Sequence, residues 1–400
     1  MHPRPELAAA TAGAVVLTGV QGIVPALPEL QRALGLDDAA VSLVMLVYVL
    51  AGALSAIPAG ALADRIGARP VMVAALIAFG LVSIAPVVVP ETWMLVLART
   101  VQGASFGVVL SLSVSVLADS VDRDRQAEAQ SRRVVVMSST EAALPLVAGL
   151  LVVAAGWQSA LLLGALALPA AALCWWGLPR GTPARTLSGR ASFDLALRAA
   201  TSRDGLGVQG LGFVRFLLKF AALSFLPILA DRAGLGAAAI GLAFSAGAVL
   251  GIGMAALAPA LLRRTGLPSV LVGSVLLAAA PFTAAPLASN ASTLAVVLVV
   301  VIVVISSVGD AVLGVATNVV AAAAAPAGAR GAFIGITSAV RNTGKVMAPA
   351  LVAVLVLAFP LAFSVAGLGV IGLAALAVVP RAVRAANPPQ QPPGESDSAR

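Results

Sequence analysis

Long apolar runs, separated by short polar segments, fill most of this 400-residue sequence. A helix of about 20 apolar residues crosses the hydrocarbon core of a bilayer. Backbone groups inside lipid must bond to one another, which leaves helices as the natural form for such runs. Only 10% of the residues are charged, against roughly 25% in soluble domains. The sequence therefore predicts an all-α integral membrane protein.

The runs fall into two groups of six, which predicts twelve transmembrane helices in two pseudo-symmetric six-helix bundles. The first group covers about 7–28, 39–61, 70–89, 92–117, 134–155 and 158–178, and the second covers about 208–230, 236–262, 267–288, 291–320, 332–358 and 360–380. We expect bundles at 1–178 and 206–380, a cytoplasmic linker at 179–205 and a disordered tail at 381–400. A short amphipathic helix is expected in the linker around 193–200.

The basic residues are distributed very unevenly along this layout. If both termini are cytoplasmic, eighteen arginines fall in cytoplasmic segments, and Arg32 and Arg232 alone fall in outer loops. Such a bias is typical of membrane topology, so the net charge of +8 does not indicate nucleic-acid binding. The alanine- and arginine-rich composition favours a bacterial inner membrane as the location.

Several classes of function are disfavoured by what the sequence lacks. Cys174 is the one cysteine and His2 the one histidine, which excludes an internal disulfide, a thiolate cluster and a histidine-based site. There is no phosphate-binding G-x-x-x-x-G-K-[ST] loop. The first apolar run is too long for a cleavable signal. We expect neither an enzyme nor a bound cofactor or metal, and we expect a monomer.

Weak internal repeats relate the two halves. ALADRIGARPVM (61–72) is similar to ALLRRTGLPSVL (260–271), and VMSSTEAALPLVAG (136–149) is similar to VRNTGKVMAPALVA (340–353). Repeated membrane helices are how many secondary transporters build a binding site at mid-membrane.

A charged segment, GALADRIGARP (60–70), lies between the second and third runs. Gly60 and Gly67 allow close helix approach and a tight turn. Asp64 can accept hydrogen bonds from the start of a neighbouring helix, and Arg65 and Arg69 can pair with acids on other helices. These residues predict a latch between bundles; the alternative is a basic loop that only fixes topology.

Two motifs give this sequence a family resemblance. Residues 60–69 match G-x-L-x-D-R-x-G-x-R, and Arg99-Thr-Val-Gln102-Gly103 matches R-x-x-Q-G. With the six-plus-six layout, the chain resembles the major facilitator superfamily over about residues 7–380. The resemblance implies the major facilitator fold and alternating access. A departure lies in TEAALPLVAG (140–149), which keeps only Pro145 and Gly149 of the family's antiporter motif.

The same resemblance implies partners for the charged segment. Asp64 would cap helix 11 near Phe333, and Arg65 or Arg69 would pair with Asp119 at the foot of helix 4. These contacts would stabilise the outward-open state.

Placing an ionisable side chain in hydrocarbon has an unfavourable free energy, so ionisable residues within the apolar runs usually face a cavity or a partner. The acids are Glu141 and Asp310, which we expect to carry protons. The alternative for Glu141 is a static buried hydrogen bond or ion pair, and the alternative for Asp310 is a salt bridge with Arg341 or Lys345. Family members use the arginine at position 99 in proton coupling or as a structural anchor, and both remain open here.

The interior bases outnumber the acids. Arg215 is expected to snorkel to the cytoplasmic interface, whereas Lys219 lies one turn deeper. Arg341 and Lys345 repeat that spacing. Five interior bases against two acids favour an anionic substrate. We add two polar residues to the predicted substrate site, Gln21 and Asn318.

These observations predict a secondary transporter that exports small amphiphilic or anionic molecules in exchange for protons. One alternative is a proton-coupled importer of a small organic anion. Another is a membrane receptor or scaffold that transports nothing.

Overall fold

The structure of the chain is a computed structural model. The structure describes residues 5–120, 123–178, 190–265, 267–281, 293–326 and 329–374. The predicted tail at 381–400 and the first part of the linker lie outside these ranges.

Helices make up nearly all of the described chain, and each of the twelve predicted runs contains at least one. In the first half they are α1 (Pro5–Val16), α2 (Leu27–Ala33), α3 (Asp38–Ile66), α4 (Ala68–Val88), α5 (Thr92–Ser120), α6 (Arg123–Ala155), α7 (Trp157–Leu162) and α8 (Ala167–Gly177). After them come α9 (Arg190–Thr201), α10 (Arg203–Arg232), α11 (Ala237–Thr265), α12 (Leu267–Ala279), α13 (Thr293–Ala324), α14 (Arg330–Leu355) and α15 (Leu361–Ala374).

Among the described residues, nine helical stretches are long and apolar enough to cross a membrane. In an apolar 18-residue window of each stretch, 83% of the residues are buried in the first, Pro5–Ala33, and 67% in α10, against only 22% in α11. A buried apolar helix must be surrounded by other helices rather than by lipid. The first span and α10 therefore lie centrally, each with one face available to line a cavity.

The first span is not a regular helix. A π-helical turn, Thr18–Gly22, and a 3₁₀ turn, Val24–Ala26, separate α1 from α2. Pro25 and Pro28 lack the N–H groups that regular helical bonding to Gln21 and Val24 would need. Packing compensates, because Ile23, Val24, Leu27 and Leu30 are at most 1% exposed. The irregular turn fixes where Gln21 sits.

The ends of the first span and of α10 repeat one another. The Gly35 N–H donates to the Arg32 backbone carbonyl, and the Gly234 N–H donates to the Asp231 backbone carbonyl. Both glycines have positive φ, 62° and 98°. The N–H groups of Leu36 and Leu235 each reach back five residues, to Gln31 and Ala230, at 2.9 and 3.0 Å. The predicted internal repeat thus extends to the turns at this end. We call it the outer end, following the arginine bias.

The expected amphipathic linker helix is observed as α9. Its Ala196 and Ala200 pack against Ala329 and Phe333 of the α14 start. Ser202 then caps α10 by accepting a hydrogen bond from Gly205 N–H at 3.0 Å. The assignment of 1–178 and 206–380 as separate bundles stays a prediction.

Candidate functional site

A cavity of about 390 Å³ lies between the two halves of the chain. Among its lining residues are ionisable and polar side chains from the first span, α6, α10 and α13: Gln21, Ser138, Glu141, Arg215, Lys219, Ser306, Ser307, Asp310 and Asn318. The cavity therefore brings together five residues selected from the sequence, namely Gln21, Glu141, Lys219, Asp310 and Asn318.

Four charged side chains form one connected network on the cavity wall. Arg215 Nε lies 2.7 Å from Asp310 Oδ1, and Lys219 Nζ lies 3.1 Å from Asp310 Oδ2. The same Nζ is 3.5 Å from Oε1 of Glu141. Gln21 Nε2 donates to that Glu141 oxygen at 3.0 Å. Two cations thus face two carboxylates, and the network is balanced in charge.

Lys219 is the central member of this network because it joins the two halves. Glu141 belongs to α6 of the first half, and Asp310 belongs to α13 of the second. The side chains of Lys219 and Glu141 keep 29% and 36% exposure, so the contact is accessible from the cavity. A change in charge at either residue would alter a bond between the halves.

Two expectations about these bases are wrong. Arg215 does not snorkel, since its side chain is 12% exposed and ion-paired. Asp310 pairs with Arg215 and Lys219 rather than with Arg341 or Lys345. Arg215 is therefore a site residue that the sequence interpretation missed. Its i, i+4 spacing from Lys219 was a usable signal, because that spacing places both side chains on one helix face.

The remaining two interior bases of the second half do not line the cavity. Arg341 donates to Asn318 Oδ1 at 2.9 Å and to the Thr317 carbonyl at 3.1 Å. Lys345 Nζ lies 4.8 Å from the ring centre of Phe216 and 5.6 Å from that of Phe220. The excess positive charge is therefore on α14, one layer away from the space where a substrate would bind.

A further part of the cavity lining is apolar and comes mainly from α11. Phe244, Gly247, Ala248, Gly251 and Ile252 line it. A Cβ on Gly247 would come within 2.6 Å of Val303 and 2.8 Å of the Ser307 hydroxyl, so the small residue brings α11 close to α13. The cavity is thus lined both by charged side chains and by an apolar surface.

Arg99 lies apart from this network, in the first half. It is 0% exposed, and Nη1 donates to the Gly19 carbonyl at 2.6 Å and to Gln102 Oε1 at 3.1 Å. Its guanidinium stacks 4.0 Å from the ring centre of Tyr48. No acid is recorded as its partner among the described residues. The structure therefore separates Arg99 from Glu141 and Asp310, with which the sequence interpretation grouped it.

Two ion pairs cross between the halves at the outer end. Arg32 Nη2 lies 3.0 Å from Asp231 Oδ1, and Arg232 Nη1 lies 3.1 Å from Asp38 Oδ2. Arg32 and Asp231 occupy equivalent positions in the repeated helix ends described above. A second cavity of about 480 Å³, lined in part by Glu29, Arg32 and Asp231, lies beside these pairs.

Close contact between α6 and α11 joins the halves at the same end. A Cβ on Gly149 would lie 2.5 Å from the Ala237 carbonyl oxygen, and one on Gly241 would lie 2.3 Å from that of Pro145. The Leu146 N–H, next to Pro145, donates to Ser245 Oγ at 2.9 Å. The outer end is therefore closed.

Free space surrounds glycines nearer the opposite end. A Cβ on Gly60, Gly253 or Gly335 would meet no atom within 4 Å in the described part of the chain. The predicted close helix approach at Gly60 is not seen among the described residues in this conformation, and it stays a prediction.

The latch residues are only partly described. The side chains of Asp64 and Asp119 lie outside the described part, so their pairing stays a prediction. Gly67 makes the expected turn, with φ of 92°. Arg65 is exposed, and the Arg69 guanidinium lies 4.3 Å from the ring centre of Trp175.

Comparison with solved structures shows the fold. Over 96% of this chain and 95% of the other, the structure superposes on a bacterial homologue of the human lysosomal transporter Spinster in an inward-facing conformation, with a TM-score of 0.72 at 16% identity. A POT family transporter in complex with 5-aminolevulinic acid gives a TM-score of 0.76 at 14% identity, over 94% and 96%.

Sequence comparison adds shorter matches and a family. A multidrug resistance protein, MdtL, of Shewanella sp. (strain ANA-3) is 30% identical over 28% of this chain and 29% of the relative. A methylenomycin A resistance protein of Streptomyces coelicolor is 38% identical over 29% and 25%. The chain thus spans less than a third of these relatives. The model of the Major Facilitator Superfamily matches residues 9–349, and the chain belongs to this superfamily of transporters.

Proposed function

We propose that this superfamily member exports small amphiphilic organic molecules in exchange for protons, by alternating access. The observation that carries the proposal is the Lys219 ion pair with Glu141, which joins the two halves at the cavity. A proton arriving at Glu141 removes the negative charge and weakens this bond. Protonation then changes the balance between conformations, which is what coupling requires.

The cavity supports an amphiphilic substrate better than a strongly anionic one. Arg215 and Lys219 are neutralised by Asp310 and Glu141, and the unbalanced bases lie outside the cavity lining. A cavity lined by both an apolar and a polar surface suits a molecule with one apolar and one polar face. An anionic group would have to displace Glu141 from Lys219, so weaker binding of anions is expected.

The direction of transport is proposed from the relatives. Relatives from two genera are named for resistance to drugs or to methylenomycin A, and resistance of this kind is consistent with export. The matches cover short segments, so the substrate of this chain remains a proposal. The bacterial inner membrane, with both termini cytoplasmic, is proposed from the arginine bias.

Transport by proteoliposomes tests the proposal. Vesicles with an imposed pH gradient would be assayed with ethidium, carboxyfluorescein and methylenomycin A, while a pH-sensitive dye records proton movement. We expect a probe to move against its own concentration gradient only when protons flow down their gradient across the membrane in the opposite direction. Co-movement of probe and protons would favour the importer, and absence of any flux over a broad probe panel would favour a receptor or scaffold.

The two lysines of the chain provide a matched pair of variants. Lys219→Gln removes the bond between the halves, whereas Lys345→Gln removes a base that packs on Phe216 and Phe220. Proton-driven flux should be lost in the first and retained in the second. Equal flux from both variants would contradict the assignment of coupling to Lys219 and Glu141.

A further inference from the structure

The linker helix α9 has an apolar surface wider than the part that protein covers. Ala196 and Ala200 face α14 and are at most 2% exposed. Phe193 and Leu197, one turn apart on the side next to this stripe, are 50% and 42% exposed. Residues four apart in a helix share a face, so these two side chains form one continuous apolar strip.

The polar side of α9 carries charge. Asp194 and Arg198, also one turn apart, are exposed, and Arg203 follows directly at the start of α10 and is exposed as well. The whole linker segment, 179–205, contains five arginines and two aspartates. Asp204 beside Arg203 is exposed as well, so the charges on this side are mixed, and the positive excess belongs to the linker segment as a whole. A helix with an apolar strip and a charged side, within a segment of net positive charge, is suited to the boundary between acyl chains and anionic headgroups.

The position of α9 fits that boundary. It is joined by one residue, Ser202, to α10, a 30-residue helix. At 1.5 Å per residue α10 is about 45 Å long, whereas the hydrocarbon core is about 30 Å thick. With Arg232 at the outer end, the first turns of α10 extend into the opposite headgroup layer, and α9 lies at that depth.

We infer that α9 is a membrane-surface helix, with Phe193 and Leu197 inserted among the acyl chains of the inner leaflet and Arg198 and Arg203 on anionic headgroups. The lipid contact would anchor the connection between the two halves. This surface is independent of the cavity and of the proposed transport cycle.

Fluorescence quenching in nanodiscs tests the inference. Leu197→Cys and Asp194→Cys would each carry an environment-sensitive dye; the native Cys174 is 0% exposed and should not react. The Leu197 label should be quenched several-fold more by nitroxide-labelled lipid than by iodide, and the Asp194 label should show the reverse. Equal iodide quenching at both positions would overturn the inference, as would shielding of the Leu197 label from both quenchers, which indicates a protein contact.

A separate experiment tests the contact between the arginines of α9 and anionic headgroups. Quenching of the Leu197 label by lipid should be greater in nanodiscs with 30% phosphatidylglycerol than in phosphatidylcholine alone. Arg198→Gln should reduce that difference, whereas Arg264→Gln, at an exposed arginine on the end of α11, should not. An identical response of both variants would overturn the assignment of the headgroup contact to α9.

Discussion

Each half of the molecule places an arginine within the membrane, but the two arginines are satisfied in different ways. Arg99 is held by a backbone carbonyl, an amide oxygen and a tyrosine ring. Arg215 is held by a carboxylate that it shares with Lys219 beside a cavity. A buried cation whose partners are all neutral has no carboxylate that a proton could neutralise. An ion pair beside a cavity, in contrast, can be broken by a proton or a ligand.

The comparison separates a structural role from a coupling role. Arg99 fixes the irregular turn of the first span through Gly19, and Gln21 of the same turn reaches Glu141. The first half therefore positions the network, and the second half supplies most of its charge. Substitutions in the two sites should differ in whether stability or transport is lost.

Arg99→Met should cause the largest loss of stability. The variant leaves the Gly19 carbonyl and the Gln102 oxygen without the donor that Arg99 supplies, and one such lost charge-assisted hydrogen bond costs about 1.5–3 kcal/mol. Thermal unfolding in detergent would measure the change, with Leu97→Ala, at a 49% exposed position of the same helix, as the control. If Arg99→Met were as stable as the wild type yet no longer coupled proton flow to transport, Arg99 would have a coupling role like that of Glu141 and Lys219.

Gly149→Leu should have the next largest effect, and it acts on conformation. A Cβ at this position already lies 2.5 Å from the Ala237 carbonyl oxygen, so a larger side chain should push α6 and α11 apart and prevent closure of the outer end. Labelling of a cysteine placed in the outer cavity at Ile240 should become faster. Gly60→Leu, where a Cβ meets open space in the described chain, is the matched control, and equal labelling of both variants would contradict the closed-end assignment.

Loss of one outer ion pair should have the smallest effect. Asp231→Asn removes the partner of Arg32, and exposed pairs contribute about 0.2–1 kcal/mol. The same cysteine-labelling rate should rise slightly, and it should return to the wild-type value in the swapped variant with Arg32→Asp and Asp231→Arg. Failure of the swap to restore the rate would show that the pair does not act as a unit.

The sequence was sufficient to predict the helices but not the contacts between them. Each of the nine stretches of the described chain that could cross a membrane coincides with a predicted apolar run. The arginine bias singled out the end where Arg32 and Arg232 bridge the halves. The Gln21–Glu141 bond joins residues 120 positions apart, and the rotation of each helix decides such a contact. In helices that are apolar on all sides, no periodic pattern reports that rotation.

The charge tally failed for the same reason. Five bases against two acids predicted an anion site, but the tally treated all seven as neighbours. In the structure Arg99 is enclosed in the first half, and Arg341 and Lys345 lie outside the cavity lining. What remains around the cavity is a balanced set of four charges.

The central claim is that the charge of Glu141 controls a bond between the halves through Lys219. The most direct test is a spin-label distance across the outer end, between cysteines at the exposed positions Thr92 and Ala239, in wild type and in Glu141→Gln. The account predicts that wild type gains a longer-distance population as the pH is lowered, and that Glu141→Gln shows this population at every pH. Identical distance distributions for the two proteins, with the same pH dependence, would contradict it.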